Sequence, residues 1–513
     1  MVDGDREVAT DGGETMVEYG LEEKPPLGES VLLGVQHWLT MVGSTIAIPL
    51  VLAGAMGFDA SQTAQLVATF FVVSGVATFA QATIGNRYPI VQGGTFSMLG
   101  PALAIIGVLA ASDAAPTVMI RELQGAVIIA GGLEVIIGYL GIFGYLKRYM
   151  GPLVISVVIT LIGLALIGVP QITSASNNWY LVGLTLVLIV LFSQYLDSYS
   201  RVFKLFPVLL GLGAAYLVAV ILSVAGFANL VNLGQIASAP PVRIITPFQW
   251  GPPLFTPSFA VGMIAGMFAS AIESFGDYHS VARMAGEGAP NARRVNHGLG
   301  MEGLGNVFAG IMGTGNGSTS YTENIGAIGI TKVASRYVVQ VGAVVMVLVG
   351  FVGYFGAFVT TIPNAIVGGL FLAMFAQIVG VGLSQLQHAD LNQNRNVFVI
   401  GFGLFAGLSI PQYISNVQNA SEMTLEAGLS QVPVLGQVLG ITAVADTIGI
   451  VMGTEIAVGG LAAFILDNTI PGTREERGLT AWEDITEDED AFTPWHERFL
   501  SGDESGGADV ADD

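Results

Sequence analysis

Runs of about twenty apolar residues recur along this chain, and that recurrence limits its fold more than any other feature. A bilayer core of about 30 Å is crossed by roughly 20 apolar residues in a helix. Fourteen segments qualify, at residues 31–53, 62–84, 95–111, 123–143, 151–169, 179–196, 206–225, 258–277, 298–313, 321–333, 337–359, 363–383, 396–411 and 442–467. Several are short or glycine-rich, which a helix facing lipid would not need. Only 11% of residues are charged, against about 25% in an ordinary soluble domain. The expectation is an all-α polytopic membrane protein with 14 transmembrane segments.

The basic residues test that count independently, because Lys and Arg collect in cytoplasmic loops. With the amino terminus inside, the inner loops hold Arg87, Lys147, Arg148, Arg201, Lys204, Arg283, Arg293, Arg294, Lys332, Arg336 and Arg395. The outer loops hold Arg121 and Arg243. One wrong internal span would scramble this bias. An even count then places both termini in the cytoplasm of a multi-pass protein.

The net charge of −21 is concentrated at the ends. Residues 1–27 hold 8 acids and 2 bases, and residues 472–513 hold 14 acids and 3 bases. Both read as acidic, disordered cytoplasmic tails, and a halophilic host with a salt-rich cytoplasm would account for them equally well. The acidic run at residues 483–490 reads as solvated. The remaining body is nearly neutral and shows no basic face for nucleic acid. With no cysteine there is no disulfide framework, thiolate metal site or cysteine nucleophile. The acidic first 27 residues also lack the basic start of a cleaved secretory signal.

Fourteen spans divide as seven plus seven, and a repeat of odd span number must invert. This gives a first repeat at residues 28–225 and a second at 258–471. Transporters built this way carry short, interrupted segments at matching positions of the two halves. Span three opens with Gln92-Gly93-Gly94-Thr95-Phe96-Ser97, and span ten is preceded by residues 313–321, Gly-Thr-Gly-Asn-Gly-Ser-Thr-Ser-Tyr. Each reads as a short extended piece followed by a half-helix, since Thr, Phe and Tyr tolerate strand geometry and Gly lets the backbone bend. Irregular backbone at membrane depth survives only inside protein or along a cavity. The two pieces are therefore expected to pair, with half-helix N-termini aimed at a central site.

Ionisable residues inside spans are costly and point to function. Glu273 and Asp277 lie four apart on span eight, which places them on one helical face, and Ala269 and Ser270 would let another element approach it. Glu323 follows the broken segment of span ten. These carboxylates are expected to converge on one cavity. His37 on span one is read as either functional or a satisfied core histidine. Glu134 and Glu302 are read as lone glutamates reaching the interface, and Asp446, Glu455 and Asp467 as structural. His279, beside Arg283, reads as a solvated loop residue rather than a catalytic one. Five scattered histidines give no metal-ligand spacing. No Lys follows Gly, so the phosphate loop of an ATP-driven pump is absent.

Two stretches make the sequence recognisable. They are Glu273-Ser274-Phe275-Gly276-Asp277-Tyr278 and, after the Gly-Thr-Gly-Asn-Gly-Ser-Thr-Ser run, Glu323-Asn324-Ile325-Gly326 leading to Thr331-Lys332. They resemble the nucleobase-ascorbate transporter family, whose signature is Gln, Glu or Pro, then Asn-x-Gly, four residues, and Thr with a basic residue or Gly. Gln36-His37 and Gly94-Thr95-Phe96-Ser97 are similar to further family motifs. The resemblance runs from Leu32 to Asp467. It implies a core domain of spans one to four and eight to eleven, and a gate domain of spans five to seven and twelve to fourteen. It also implies a homodimer and an elevator movement of core against gate.

By position, the resemblance makes Glu273 and Glu323 the acidic pair that binds substrate, with Phe96, Tyr321, Thr322 and Asn324 around them. Asp277 and His37 become the coupling-ion candidates. The implied activity is symport of a nucleobase such as uracil or xanthine across the plasma membrane, coupled to H+ or Na+, with no cofactor and no enzyme chemistry. The chemistry agrees, because ionised carboxylates accept from ring N–H edges, backbone N–H groups answer carbonyls, and an aromatic ring covers a face. Asp277 stands where proton-coupled, uracil-specific relatives often carry His, and oxygen ligands suit Na+. The glycine-rich run at 313–320 is similar to animal ascorbate carriers, so ascorbate or another small organic anion is the alternative.

Overall fold

A computed structural model describes residues 17–143, 149–174, 178–419, 425–480, 492–495 and 497. Lys147, Arg148, the acidic run 483–490 and the side chains of Thr322, Glu323 and Asp446 lie outside what it describes. The principal elements of the first half are α1 (Leu27–Leu39), α2 (Val42–Met56), α3 (Ala60–Thr83), β1 (Gln92–Gly93), α4 (Leu99–Ala111), α5 (Pro116–Tyr139), α6 (Pro152–Ala165), α7 (Trp179–Val190) and α8 (Pro207–Val224). The second half contributes α9 (Pro257–Met284), α10 (Ala292–Met312), β2 (Thr319–Ser320), α11 (Thr322–Thr331), α12 (Arg336–Phe351), α13 (Gly353–Thr360), α14 (Asn364–Ser384), α15 (Asn394–Asn419), α16 (Thr442–Met452) and α17 (Glu455–Thr469).

Each of the fourteen apolar segments has a helix at its place. Among the described residues, five helices are long and apolar enough to cross a membrane by themselves, and α1 with α2, bent by 44°, makes a sixth. Others are broken or short. The 13 residues of α4 and 10 of α11 reach only about 20 and 15 Å at about 1.5 Å per residue.

The helices pack in two groups. In one, α5 lies along α10 and α9, while α12 lies along α3 and α1. In the other, α14 packs on α6 and α7, and α17 packs on α15 and α6. The glycines that lipid would not require serve the first group: a Cβ on Gly138 of α5 would fall 2.5 Å from the backbone nitrogen of Gly300 on α10, so only bare backbone lets these helices meet.

The two extended pieces pair as expected. β1 and β2 are antiparallel, with Gln92 opposite Ser320 and Gly93 opposite Thr319. Bonds beyond the ladder lock the crossing. Thr95 N donates to Asn316 Oδ1 at 2.8 Å, and Asn316 Nδ2 donates to the Thr95 carbonyl at 3.1 Å. The Tyr321 hydroxyl donates to the Gly94 carbonyl at 2.7 Å. A Cβ at Gly93 would sit 2.3 Å from the Tyr321 ring, so the pairing needs glycine there.

Among the described residues, parts of both tails pack against the body. Tyr19 bridges to Val333 in parallel fashion, Glu18 N donates to the Lys332 carbonyl at 2.7 Å, and Leu21 is buried. Glu22 pairs with Arg336 at 2.6 Å and Arg87 at 2.7 Å. At the other end, Arg477 and Arg395 bracket the buried Asp467 at 2.9 and 2.8 Å. Phe492 is buried against Arg294 and His297, and Glu497 pairs with Arg293 at 2.7 Å. A few apolar and acidic residues within each tail therefore dock on basic loops, which average composition conceals.

Candidate functional site

A cavity of about 570 Å3 lies between the two helix groups. One wall is α9, presenting Glu273, Gly276, His279, Ser280 and Arg283; the opposite wall is α14, presenting Met374, Gln377, Ile378 and Val381. Phe96, just after β1, and Tyr321, just after β2, line it as well, so the strand crossing forms its structured end. The Ser97 hydroxyl donates to Glu273 Oε2 at 3.1 Å. The Phe96 ring meets Phe375 of α14 edge-on, with centroids 5.6 Å apart.

This arrangement offers a partly exposed carboxylate, an aromatic ring and the N-terminus of α11 to one solute. A helix N-terminus leaves backbone N–H groups free and favours negative or electron-rich atoms. Glu273 and Phe96 thus line one cavity, and Tyr321 joins them. Thr322 and Glu323 open α11 immediately after Tyr321.

The other predicted site residues sit elsewhere. Asp277 is buried and does not line the cavity. Four residues advance a helix by about 400°, so the wall follows 273, 276, 280 and 283 while Asp277 turns about 40° away. Asn324 is fully buried and donates from Nδ2 to the Pro89 carbonyl at 2.7 Å, tying α11 to the loop before β1 instead of facing the cavity. His37 is also buried, beside Asn324. The cavity begins beyond it on α1, at Leu39 and Thr40.

His279 is not a solvated loop residue. The helix α9 continues to Met284, seven residues past the expected end of the span, so His279 is buried within it. Its Nδ1–H donates to the Phe275 carbonyl at 2.8 Å.

Glu302 and Glu134 depart furthest from expectation. Neither reaches the interface, since both are buried. Glu302 accepts from Ser274 at 2.7 Å, from the Tyr278 hydroxyl at 3.2 Å and from Ser320 of β2 at 3.3 Å. Glu134 accepts from Asn306 Nδ2 at 2.5 Å, and Asn306 Oδ1 in turn accepts from the Ser318 backbone. Two carboxylates thus hold the second extended piece from behind, and Ser274, the residue next to Glu273, joins α9 to that network. Partners 18 to 172 residues apart in sequence made this network invisible before folding. The only available signal was the expense of two glutamates in apolar spans.

Residues 28–416 match a family described as "Permease family". "Solute carrier family 23 member 2" of Homo sapiens is 38% identical over 514 residues, covering 91% of this chain and 76% of that protein. The chain belongs to the nucleobase-ascorbate transporter family. "Nucleobase-ascorbate transporter 12" of Arabidopsis thaliana is 32% identical over 517 residues, covering 91% of this chain and 72% of that protein. The transmembrane domain of a cyanobacterium bicarbonate transporter, BicA, aligns with a TM-score of 0.50 at 16% identity, over 85% of this chain and 100% of that one. That likeness speaks to the fold alone. As a member of this family the protein is a multi-pass membrane transporter, not an enzyme.

Proposed function

We propose that this chain is a secondary active symporter that imports a nucleobase such as uracil or xanthine across the plasma membrane, coupled to H+ or Na+. The observation that carries the reading is Glu273 beside Phe96 and Tyr321 at the strand crossing, facing a cavity that separates the two helix groups. A base offers coplanar N–H donors and carbonyl acceptors with two apolar faces. Glu273, and Glu323 at the start of α11, accept from the N–H edge. Backbone N–H groups at the α11 N-terminus answer a carbonyl, and Phe96 covers a face.

In this reading the group built on α5, α9, α10 and the strand pair is the core, and the group built on α6, α14, α15 and α17 is the gate. Substrate moves with the core past the gate in an elevator step, within a homodimer whose termini are cytoplasmic. Lys204 and Arg283 line the cavity and sit in the last turns of their helices, at the end that the basic-residue bias assigns to the cytoplasm. That makes this the inward-facing arrangement. Asp277 and His37, buried behind the cavity wall, are the coupling groups.

The same two cations favour the second reading, ascorbate or another small organic anion, because they would draw a negative solute into the cavity. Purified protein in liposomes separates the readings. Labelled uracil, xanthine and ascorbate are offered under separate Na+ and pH gradients. Accumulation of a base, lost in Glu323→Gln, supports the first; accumulation of ascorbate alone supports the second.

A further inference from the structure

Between Asn364 and Ser384, the nineteen residues of α14 are apolar or glycine except one, Gln377. A lone polar residue in a membrane helix normally points into a bundle, pairs, or lines a pathway. Gln377 is exposed, and it lines the cavity that holds Glu273, Phe96 and Tyr321.

Its level can be placed. The contact of Phe375 with Phe96 and of Ser97 with Glu273 sets Phe375 and Glu273 beside the same corner of the strand crossing. Along the cavity, α9 then presents Gly276, His279, Ser280 and Arg283, while α14 presents Gln377, Ile378 and Val381. At about 1.5 Å per residue, Gln377 lies about 3 Å beyond Phe375 and Gly276 about 4.5 Å beyond Glu273. Gly276 has no side chain, and a Cβ built there would meet nothing within 4 Å. The wall contributed by α9 is open at the level where α14 extends an amide.

We infer that Gln377 is a specificity-determining residue, reading from the second helix group the edge of the solute that Glu273 leaves uncovered. This rests on the reading of the cavity as the base site. The side-chain amide donates through Nε2 and accepts through Oε1, so it suits the paired carbonyl and amino or N–H positions that distinguish one base from another. Glu273 supplies a charge that every base with a ring N–H can use. Gln377 supplies a neutral, two-way group that ranks them. Because it belongs to the opposite helix group, it contacts the solute only in this relative position of the groups.

The test is competition binding on purified full-length protein, with labelled base displaced by unlabelled uracil, thymine, xanthine and hypoxanthine. Wild type, Gln377→Leu and Gln377→Asn are compared, each checked for an unchanged melting temperature. In Gln377→Leu the ratios between competitors are expected to change by about fivefold, as one neutral hydrogen bond allows, with Gln377→Asn closer to wild type. Uniform weakening of all competitors, or unchanged ratios, overturns the inference. If wild type binds ascorbate and no base, the base reading fails separately. The inference is then judged on a series of ascorbate analogues, where changed ratios support it and unchanged ratios overturn it.

Discussion

The two walls of the cavity are built on opposite plans. The α9 wall carries a carboxylate, a histidine, a serine and an arginine, and Ser274, next to Glu273, is bonded to Glu302 and through it to β2. Through the membrane the α14 wall carries Met374, Ile378 and Val381 with the amide of Gln377, and turns polar at its end, with Ser384 followed by Gln385 and Gln387. A wall that fixes a ligand must hold its polar groups rigidly, and a buried hydrogen-bond network behind it serves that end. A wall that another body slides past is best smooth and apolar, since each polar contact would have to be broken on every stroke. On the proposed elevator reading, the difference concentrates recognition on one helix group and leaves passage to the other.

Replacing Glu273 by Gln attacks the comparison hardest. It keeps the size and the bond from Ser97 but removes the charge, and uptake of a base is expected to fall about 100-fold, the scale of a charged hydrogen bond. A milder loss would mean that the α9 wall is not the recognising one. Glu302→Ala comes next. It strips the acceptor from Ser274, Tyr278 and Ser320, and each orphaned buried hydroxyl costs about 1–3 kcal/mol. A clear drop in melting temperature, with uptake down at least about tenfold, is expected, while Glu302→Gln keeps most of both. Full activity in Glu302→Ala would show that the strand crossing needs no support from behind. Changes on the α14 wall should be smaller and should alter ranking among bases, as set out for Gln377.

The smallest effect lies outside both walls. Burial pushes the Glu22 carboxyl up, but hydrogen bonds and charge from Arg336, with the charge of Arg87, outweigh it and hold the group below its ordinary value. A depressed carboxylate contributes stability that is full above its ordinary value of 4.5 and is lost as pH falls through the lowered one. Glu22 itself is about half-exposed, so solvent screening keeps the pair under about 1 kcal/mol. Hydrogen exchange of residues 17–26 should therefore quicken only in acid, and Glu22→Gln should quicken it at neutral pH with little change in uptake. Equal protection in both would mean that Tyr19 and Leu21 alone hold the segment.

What could be read before folding follows the range of the interactions. The extended pieces were legible because glycine and polar residues interrupt two apolar runs at matching places. Glu273 was legible because a charge in an apolar span is expensive wherever it sits. Asp277 falls outside the cavity because Glu273 sits at the edge of the lining face, and a four-residue step turns about 40° away from Gly276, His279, Ser280 and Arg283. The roles of Glu302 and Asn324 depend on partners brought in from distant segments, Ser320 and Pro89 among them. No local pattern encodes those. Docking of the tails was hidden because their composition was averaged, while Tyr19, Leu21 and Phe492 act as individual anchors. Gln377 escaped notice because it carries no charge.

The most direct measurement is equilibrium binding of labelled uracil and xanthine to the purified protein and to its Glu273→Gln form. The account predicts saturable binding of at least one base, weakened about 100-fold by the substitution with no change in melting temperature. Absence of base binding to the wild type, or equal binding to both forms, would contradict it.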